Sequence, residues 1–285
     1  MVDSRELVGA PLWAKPLKFS ISSVIYSVTW AWLIGQLPAR RRAAGRAGTV
    51  IAVALVIELL LIIVDSIIGN RSHFNVSSVF DTIVWSTMAT LISAVWIATL
   101  VVSIMLWSIR QEDRARTLVT RLATLVALVG LALGFLMTIP TAEQRADFEG
   151  IAGAHTVGAD DGGAGIFLLG WSTTHGDLRI PHFVGMHALQ ILPLVLLGIE
   201  LASRRVSALR SPEVRVGLVW TASTGYVLAL ALLTWQALRG QSIVQPDGTA
   251  VFSAAVIAAV VLVGVAVSWA RRDVLAAEHP SVPSA

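Results

Sequence analysis

The sequence predicts an all-α fold, a polytopic membrane bundle of seven transmembrane helices, and three observations carry that expectation. Apolar residues make up 55% of the 285-residue chain and charged residues only 14%, where a soluble domain carries about a quarter charged. The mean hydropathy is +0.75. The charges are gathered into connectors between seven apolar runs, each long enough for the roughly 20 helical residues that cross a ~30 Å hydrocarbon core. The chain has no cysteine, which excludes disulfides, thiolate nucleophiles and cysteine metal sites. A net charge of +3 and a pI near 9.9 do not point to nucleic acid. The arginines sit beside the ends of the apolar runs, where lipid headgroups of the bilayer are the expected partner.

The runs lie near 17–37, 49–69, 81–109, 117–140, 182–203, 216–238 and 250–270. The first lacks a basic leader and a small-residue cleavage site and ends in Pro38-Ala39-Arg40-Arg41-Arg42, a stop-transfer pattern, so it reads as a retained span. The second contains two acids. The third is longer than a bilayer needs, which predicts tilt or projection. The fourth holds Gly130 and Gly134, a GxxxG spacing that suits close helix packing. Pro181 opens the fifth, where a missing N–H costs nothing. The sixth carries hydroxyls read as helix glue. The seventh has no lysine for a retinal Schiff base. Residues 1–275 form one expected domain, followed by a short disordered tail at 276–285.

Arginine placement predicts orientation. Arg40, Arg41, Arg42 and Arg46 follow the first run; Arg110, Arg114, Arg116 and Arg121 follow the third; Arg204, Arg205, Arg210 and Arg215 follow the fifth; Arg271 and Arg272 follow the last. The opposite connectors hold Arg71, Arg145, Arg179 and Arg239. The positive-inside rule puts the rich side in the cytoplasm and the N-terminus outside. Lys15 and Lys18 dissent; they are expected to snorkel to the outer headgroups. Glu200, near the inner end, is expected to snorkel or pair with Arg204.

The one long connector, 141–181, combines Gly158-Ala159-Asp160-Asp161-Gly162-Gly163 with the apolar Ile166-Phe167-Leu168-Leu169-Gly170-Trp171. Length argues for a functional or disordered segment, and the apolar patch for a lid over the bundle mouth. His155, Asp160 and Asp161 are weighed as cation ligands against ordinary solvated acids.

Ionisable groups inside a span are costly and mark function by default. Glu58 and Asp65, seven residues apart, share one face of the second helix, about 16 Å and about 6 Å below its outer end by rise per residue. His187 and Gln190, three apart in the fifth, share a face at depths of about 9 Å and about 13 Å. Were those two spans neighbours, Glu58, Asp65, His187 and Gln190 would form one acid/base set in the outer half of the bundle. A bland alternative is a His–Glu pair tying two helices together. His182 and His187 are the candidate ligands for a divalent metal or haem, although their spacing matches no metal signature. Arg179 would either grip a substrate head group in a two-pronged hold or pair with Asp177 or lipid. Trp85 and Thr141, at the same level, are the other expected head-group contacts.

Two stretches carry a resemblance: Trp13-Ala14-Lys15-Pro16-Leu17-Lys18-Phe19-Ser20, and Gly176-Asp177-Leu178-Arg179-Ile180-Pro181-His182-Phe183 through Gln190. They resemble segments of a widespread family of uncharacterised bacterial multi-span membrane proteins. The resemblance implies the helix bundle and a bacterial plasma membrane, but no activity. The residues themselves favour an enzyme or cofactor-binding protein acting on a lipophilic small molecule, lipid or isoprenoid, by acid/base or metal-assisted chemistry. A proton-coupled transporter and a sensor or structural subunit are the alternatives.

Overall fold

The computed structural model describes residues 3–37 and 41–278. Seven helices in it are long and apolar enough to cross a membrane, and the chain is an all-α multi-pass bundle. They are α1 (Ala14–Gly35), α2 (Arg41–Ile68), α3 (Val79–Trp107), α4 (Arg114–Leu133, continued by a 3-10 turn to Thr138), α6 (Arg179–Ala202), α7 (Pro212–Leu238) and α8 (Gly248–Glu278). A short helix, α5 (Ala142–Ala146), lies in the long connector. All seven expected spans are present. Most start a few residues earlier than expected, because polar residues near the interface extend the helices: Asp113 caps α4 through the Ala115 and Arg116 amides, and Ser78 caps α3 through the Asp81 amide. Residues 38–40 of the stop-transfer run and residues 279–285 of the expected tail lie outside the described residues; the tail's first residues belong to α8.

The helices pack largely in chain order. α2 lies between α1 and α3, α3 contacts α4, and α4 makes the most extensive pairing, with α6. α7 contacts α4, α6 and α8. The core is apolar, built from Tyr26, Trp30, Leu33, Ile51, Val95, Val102 and Leu189 among others. Around it, Val24, Val28, Ile83, Leu194 and Leu262 are exposed, an outer surface that water would not tolerate and lipid does. Most span hydroxyls close on the carbonyl one turn back in their own helix, as Thr29 does on Ile25 and Ser66 on Ile62, and so are satisfied locally; Ser223 Oγ, buried without a partner among the described residues, is an exception.

The GxxxG of α4 is used. Gly130 meets the Gly185 backbone directly, and the His182 ring fills the space over Gly134. His182 Nδ1–H donates to the Gly130 carbonyl at 2.9 Å, a polar stitch across this close helix approach.

At the opposite end from the long connector, Glu200 accepts from Arg116 Nε at 2.8 Å and Nη2 at 3.0 Å. This corrects the expected pairing with Arg204: the partner comes from α4, not from the next turn of α6. Arg215 pairs with Asp113 at 2.7 Å.

The long connector is folded. Its strands β3 (Thr156–Val157) and β4 (Gly176–Asp177) pair antiparallel. It is stitched to the α2–α3 connector by the Val76 amide on the Gly150 carbonyl and the Ala152 amide on the Phe74 carbonyl, each 2.7 Å. A second small hairpin, β1 (Glu6–Leu7) with β2 (Ala10–Pro11), precedes α1.

Candidate functional site

The two acids of α2 occupy one face, as their spacing requires, and both are buried, Glu58 at 1% and Asp65 at 2% exposure. Neither Glu58 oxygen, nor Asp65 Oδ2, has a hydrogen-bond partner among the described residues. What faces Glu58 comes from the connector that follows α2. Gly69 ends the helix in the left-handed region at φ 74°, and the Asn70 amide donates to the Asp65 carbonyl at 2.7 Å. Asp81 then gathers the connector, accepting from Asn70, from Ser77 at 3.1 Å and from Ser78 at 2.6 Å. The chain so held turns His73 inward, with Nε2 3.8 Å from Glu58 Oε1.

Phe74 fixes that direction. Its φ of 65° is a left-handed conformation that a bulky residue adopts only when its surroundings demand it. Its ring is buried against His73 (6.0 Å), Trp85 (5.1 Å) and His155 (4.9 Å between centroids). Trp85 also packs on His73 at 5.6 Å and Phe19 meets it edge-on at 5.8 Å. Of the three expected head-group contacts, Trp85 therefore lines this cluster.

Lys15 completes it. Instead of snorkelling to headgroups, the ammonium turns inward, donating to Ser72 Oγ at 2.7 Å and to His73 Nδ1 at 3.1 Å. An ammonium has only donors, so His73 Nδ1 accepts and Nε2 carries the proton, aimed at Glu58. Lys15 also lies within electrostatic reach of Glu58 and Asp65. The result is a directed chain, Lys15 to His73 to Glu58, running from the loop end of the bundle into the span region.

Above it sits a clasp. Asp161 accepts from Arg71 Nη2 at 2.7 Å, from the Thr156 amide at 2.9 Å and from the His155 amide at 3.0 Å, and it pairs with His155 Nδ1 at 2.7 Å. Of the two loop acids considered as cation ligands, Asp161 instead joins the long connector to the α2–α3 connector. Asp160 is exposed. Among the described residues no group of three His, Asp or Glu side chains is placed to hold a metal ion.

Burial lowers the pKa of His73 well below its ordinary value, and the Lys15 charge lowers it further. Burial likewise lowers His155, against the opposing hydrogen bond to Asp161. Burial would raise the Asp161 carboxyl, but its bonds to His155 and Thr156 and the Arg71 charge outweigh burial and lower it. Unfolded histidines take up protons near pH ~6.5, the buried ones only lower, so in that interval the open connectors bind more protons and closure weakens as pH falls. The Asp161 contribution is present above about pH 3.8 and is lost lower still, as pH falls through its folded value. Amide exchange in residues 150–178, corrected for intrinsic rates, is expected to speed up on going from about pH 7.5 to about 5.5. Protection that does not change across that interval would contradict this account.

The second expected pair, His187 and Gln190, stands elsewhere. Thr29 uses its proton on the Ile25 carbonyl, so it accepts from Gln190 Nε2 at 3.0 Å; Gln190 Oε1 then accepts from His187 Nδ1–H at 3.1 Å. His187 Nε2 is left buried without a partner among the described residues. The ring packs at a tilt against Phe183, with centroids 4.2 Å apart. This corrects the four-residue convergence: α2 pairs with α1 and α3, α6 with α4 and α7, and Glu58 meets His73 where His187 meets Gln190. His182 and His187 each commit Nδ1 to a different acceptor.

Arg179 takes the second of its two weighed roles. Its Nε and Nη2 hold Asp177 at 2.9 Å and 2.5 Å, and Nη2 also donates to the Gly170 carbonyl at 2.6 Å. Thr141 caps α5 in a reciprocal box with Gln144. Both residues therefore organise the long connector.

Sequence reasoning missed His73 and Lys15. The available signal was a histidine beside a serine within reach of an acid-bearing helix end, and a lysine at the start of a span opposite it. Comparison of the chain with protein-family models, curated proteins and solved structures gives no match.

Proposed function

We propose that this multi-pass membrane protein is an enzyme that moves a proton to or from a lipophilic substrate, lipid or isoprenoid, with Glu58 as the exchanging group. The supporting observation is the Glu58 carboxyl, shut away from water with both oxygens unbonded and the proton-bearing Nε2 of His73 3.8 Å away. A buried carboxyl without hydrogen bonds is an unfavourable way to tie helices together, and a useful one for meeting a reacting group. In this reading His73 returns the proton to Glu58 and Lys15 fixes the imidazole tautomer. Phe19, Phe74 and Trp85 supply an apolar wall for the substrate, which enters between helices. Asp65 sets the local charge, and His187 with Gln190 makes a separate polar contact deeper along α6. The loop end faces outside and the arginine-rich end the cytoplasm, in a bacterial plasma membrane, on the arginine asymmetry.

The test is deuterium incorporation. Proteoliposomes of bacterial lipid extract in heavy water, followed by mass spectrometry, are expected to yield deuterated or rearranged lipid species with the native chain. Glu58→Gln, which preserves shape, is expected to abolish them while the protein purifies and melts normally. Identical lipid profiles for both proteins would overturn the proposal.

Proton-coupled transport is a second reading, favoured by Glu58 and Asp65 being buried on one helix face. It predicts acidification of vesicles under an applied gradient and no change in any lipid.

A further inference from the structure

Residues 166–171 of the long connector form a tight turn. The Ile166 amide donates to the Trp171 carbonyl at 2.8 Å, the Gly170 amide donates to the Ile166 carbonyl at 2.7 Å, and Gly165 bridges Ser172 at the base. At its apex Phe167 is 94% exposed and Leu168 is 51% exposed. Leu168 has φ 64°, so the chain accepts a strained backbone to hold two large apolar side chains away from the protein.

The height of this apex is fixed by three contacts. Lys18, in the second turn of α1, donates to the Leu169 carbonyl at 2.9 Å. Arg179, the first residue of α6, donates to the Gly170 carbonyl at 2.6 Å. Trp171 meets Phe183, one turn into α6, edge-on with centroids 5.5 Å apart. The turn therefore stands against the first turns of two membrane-spanning helices. Beyond the protein surface at that level lies the boundary between lipid headgroups and acyl chains, where aromatic side chains are favoured. In water the same ring would stay hydrated with nothing to cover it.

We propose that the Phe167–Leu168 apex is a lipid-inserting wedge, seated in the glycerol and upper acyl region of the leaflet that adjoins the long connector. Lys18 and Arg179 brace its stem, so the wedge holds the connector at a set depth. The assignment does not depend on the chemistry of Glu58.

The chain has no cysteine, so a single label reports one position. Phe167→Cys, carrying an environment-sensitive NBD fluorophore, is reconstituted in phosphatidylcholine–phosphatidylglycerol vesicles. Asp160→Cys, at an exposed position of the same connector, carries the same label as the aqueous reference. The label at 167 is expected to emit at shorter wavelength, to resist aqueous iodide several-fold better than the label at 160, and to be quenched by phospholipid carrying a doxyl group at acyl carbon 5. Equal iodide quenching at both positions, with no quenching by the doxyl lipid, would overturn the wedge. Because Phe167 makes no buried contact, the substitution leaves folding intact, and matching melting curves for the two variants check this.

Discussion

Gly185→Leu is expected to cost the bundle about 3 kcal/mol or more, at or beyond the usual range for overpacking, and to broaden or abolish its monodisperse elution. A Cβ at 185 would strike the Gly130 Cα, and one at 130 would strike the Gly185 backbone. Backbone cannot rotate aside as a side chain can, so α4 and α6 must part. That separation also breaks the His182 bond to the Gly130 carbonyl and loosens the most extensive helix pairing in the molecule. In lipid there is no general hydrophobic drive to pull the helices back together, since packing and interhelical hydrogen bonds supply the association. Gly198, on the same helix, has nothing within 4 Å of an added Cβ. Gly198→Ala is therefore expected to be neutral or mildly stabilising, by up to about 1 kcal/mol from helix propensity. Thermal denaturation followed by size-exclusion fluorescence checks both; a melting temperature for Gly185→Leu within about 2 °C of the native value would refute the packing account.

The bundle was legible because its cause is one-dimensional. Seven apolar runs separated by charges specify seven helices whatever their neighbours do. The single-helix part of the site was equally readable: a seven-residue spacing put Glu58 and Asp65 on one face, and both are buried there. What one helix cannot encode is which neighbour that face meets. Depths along the membrane normal placed His187 between Glu58 and Asp65, but depth says nothing about angle around the bundle. The short connector from α2 to α3 keeps those helices adjacent, and α4 takes the place beside α6 that α2 was expected to fill. His73 was hidden for another reason. In a connector a polar residue is ordinary, and only the tertiary fold, with Asp81 gathering 70–78 and the clasp closing over it, reveals that the imidazole is buried. Glu200 repeats the lesson at the other end, where a partner on the neighbouring helix α4 replaced the nearest one in sequence.

Lys15→Met is expected to be the most damaging single charge removal at the loop end, on the order of 1–3 kcal/mol, the cost of leaving buried acceptors without their donor. The ammonium donates to Ser72 and His73 and is the cation near both Glu58 and Asp65. Removing it leaves Ser72 Oγ and His73 Nδ1 without that donor, frees His73 to lose its orientation, and takes a nearby positive charge away from two buried acids. If that explanation is right, the damage depends on the acid. Glu58→Gln alone should change stability little, since neither oxygen has a hydrogen bond to lose. In the Lys15→Met background the same change should restore stability, giving a coupling energy of at least about 1 kcal/mol in a double-mutant cycle. Additivity within about 0.5 kcal/mol would mean that Lys15 supports only the connector, through Ser72 and His73. The cycle therefore separates an electrostatic unit from a structural brace, and it does so without knowledge of the substrate. Coupling of that size would join Lys15 and Glu58 in one electrostatic unit, as the proposed relay from Lys15 through His73 to Glu58 expects.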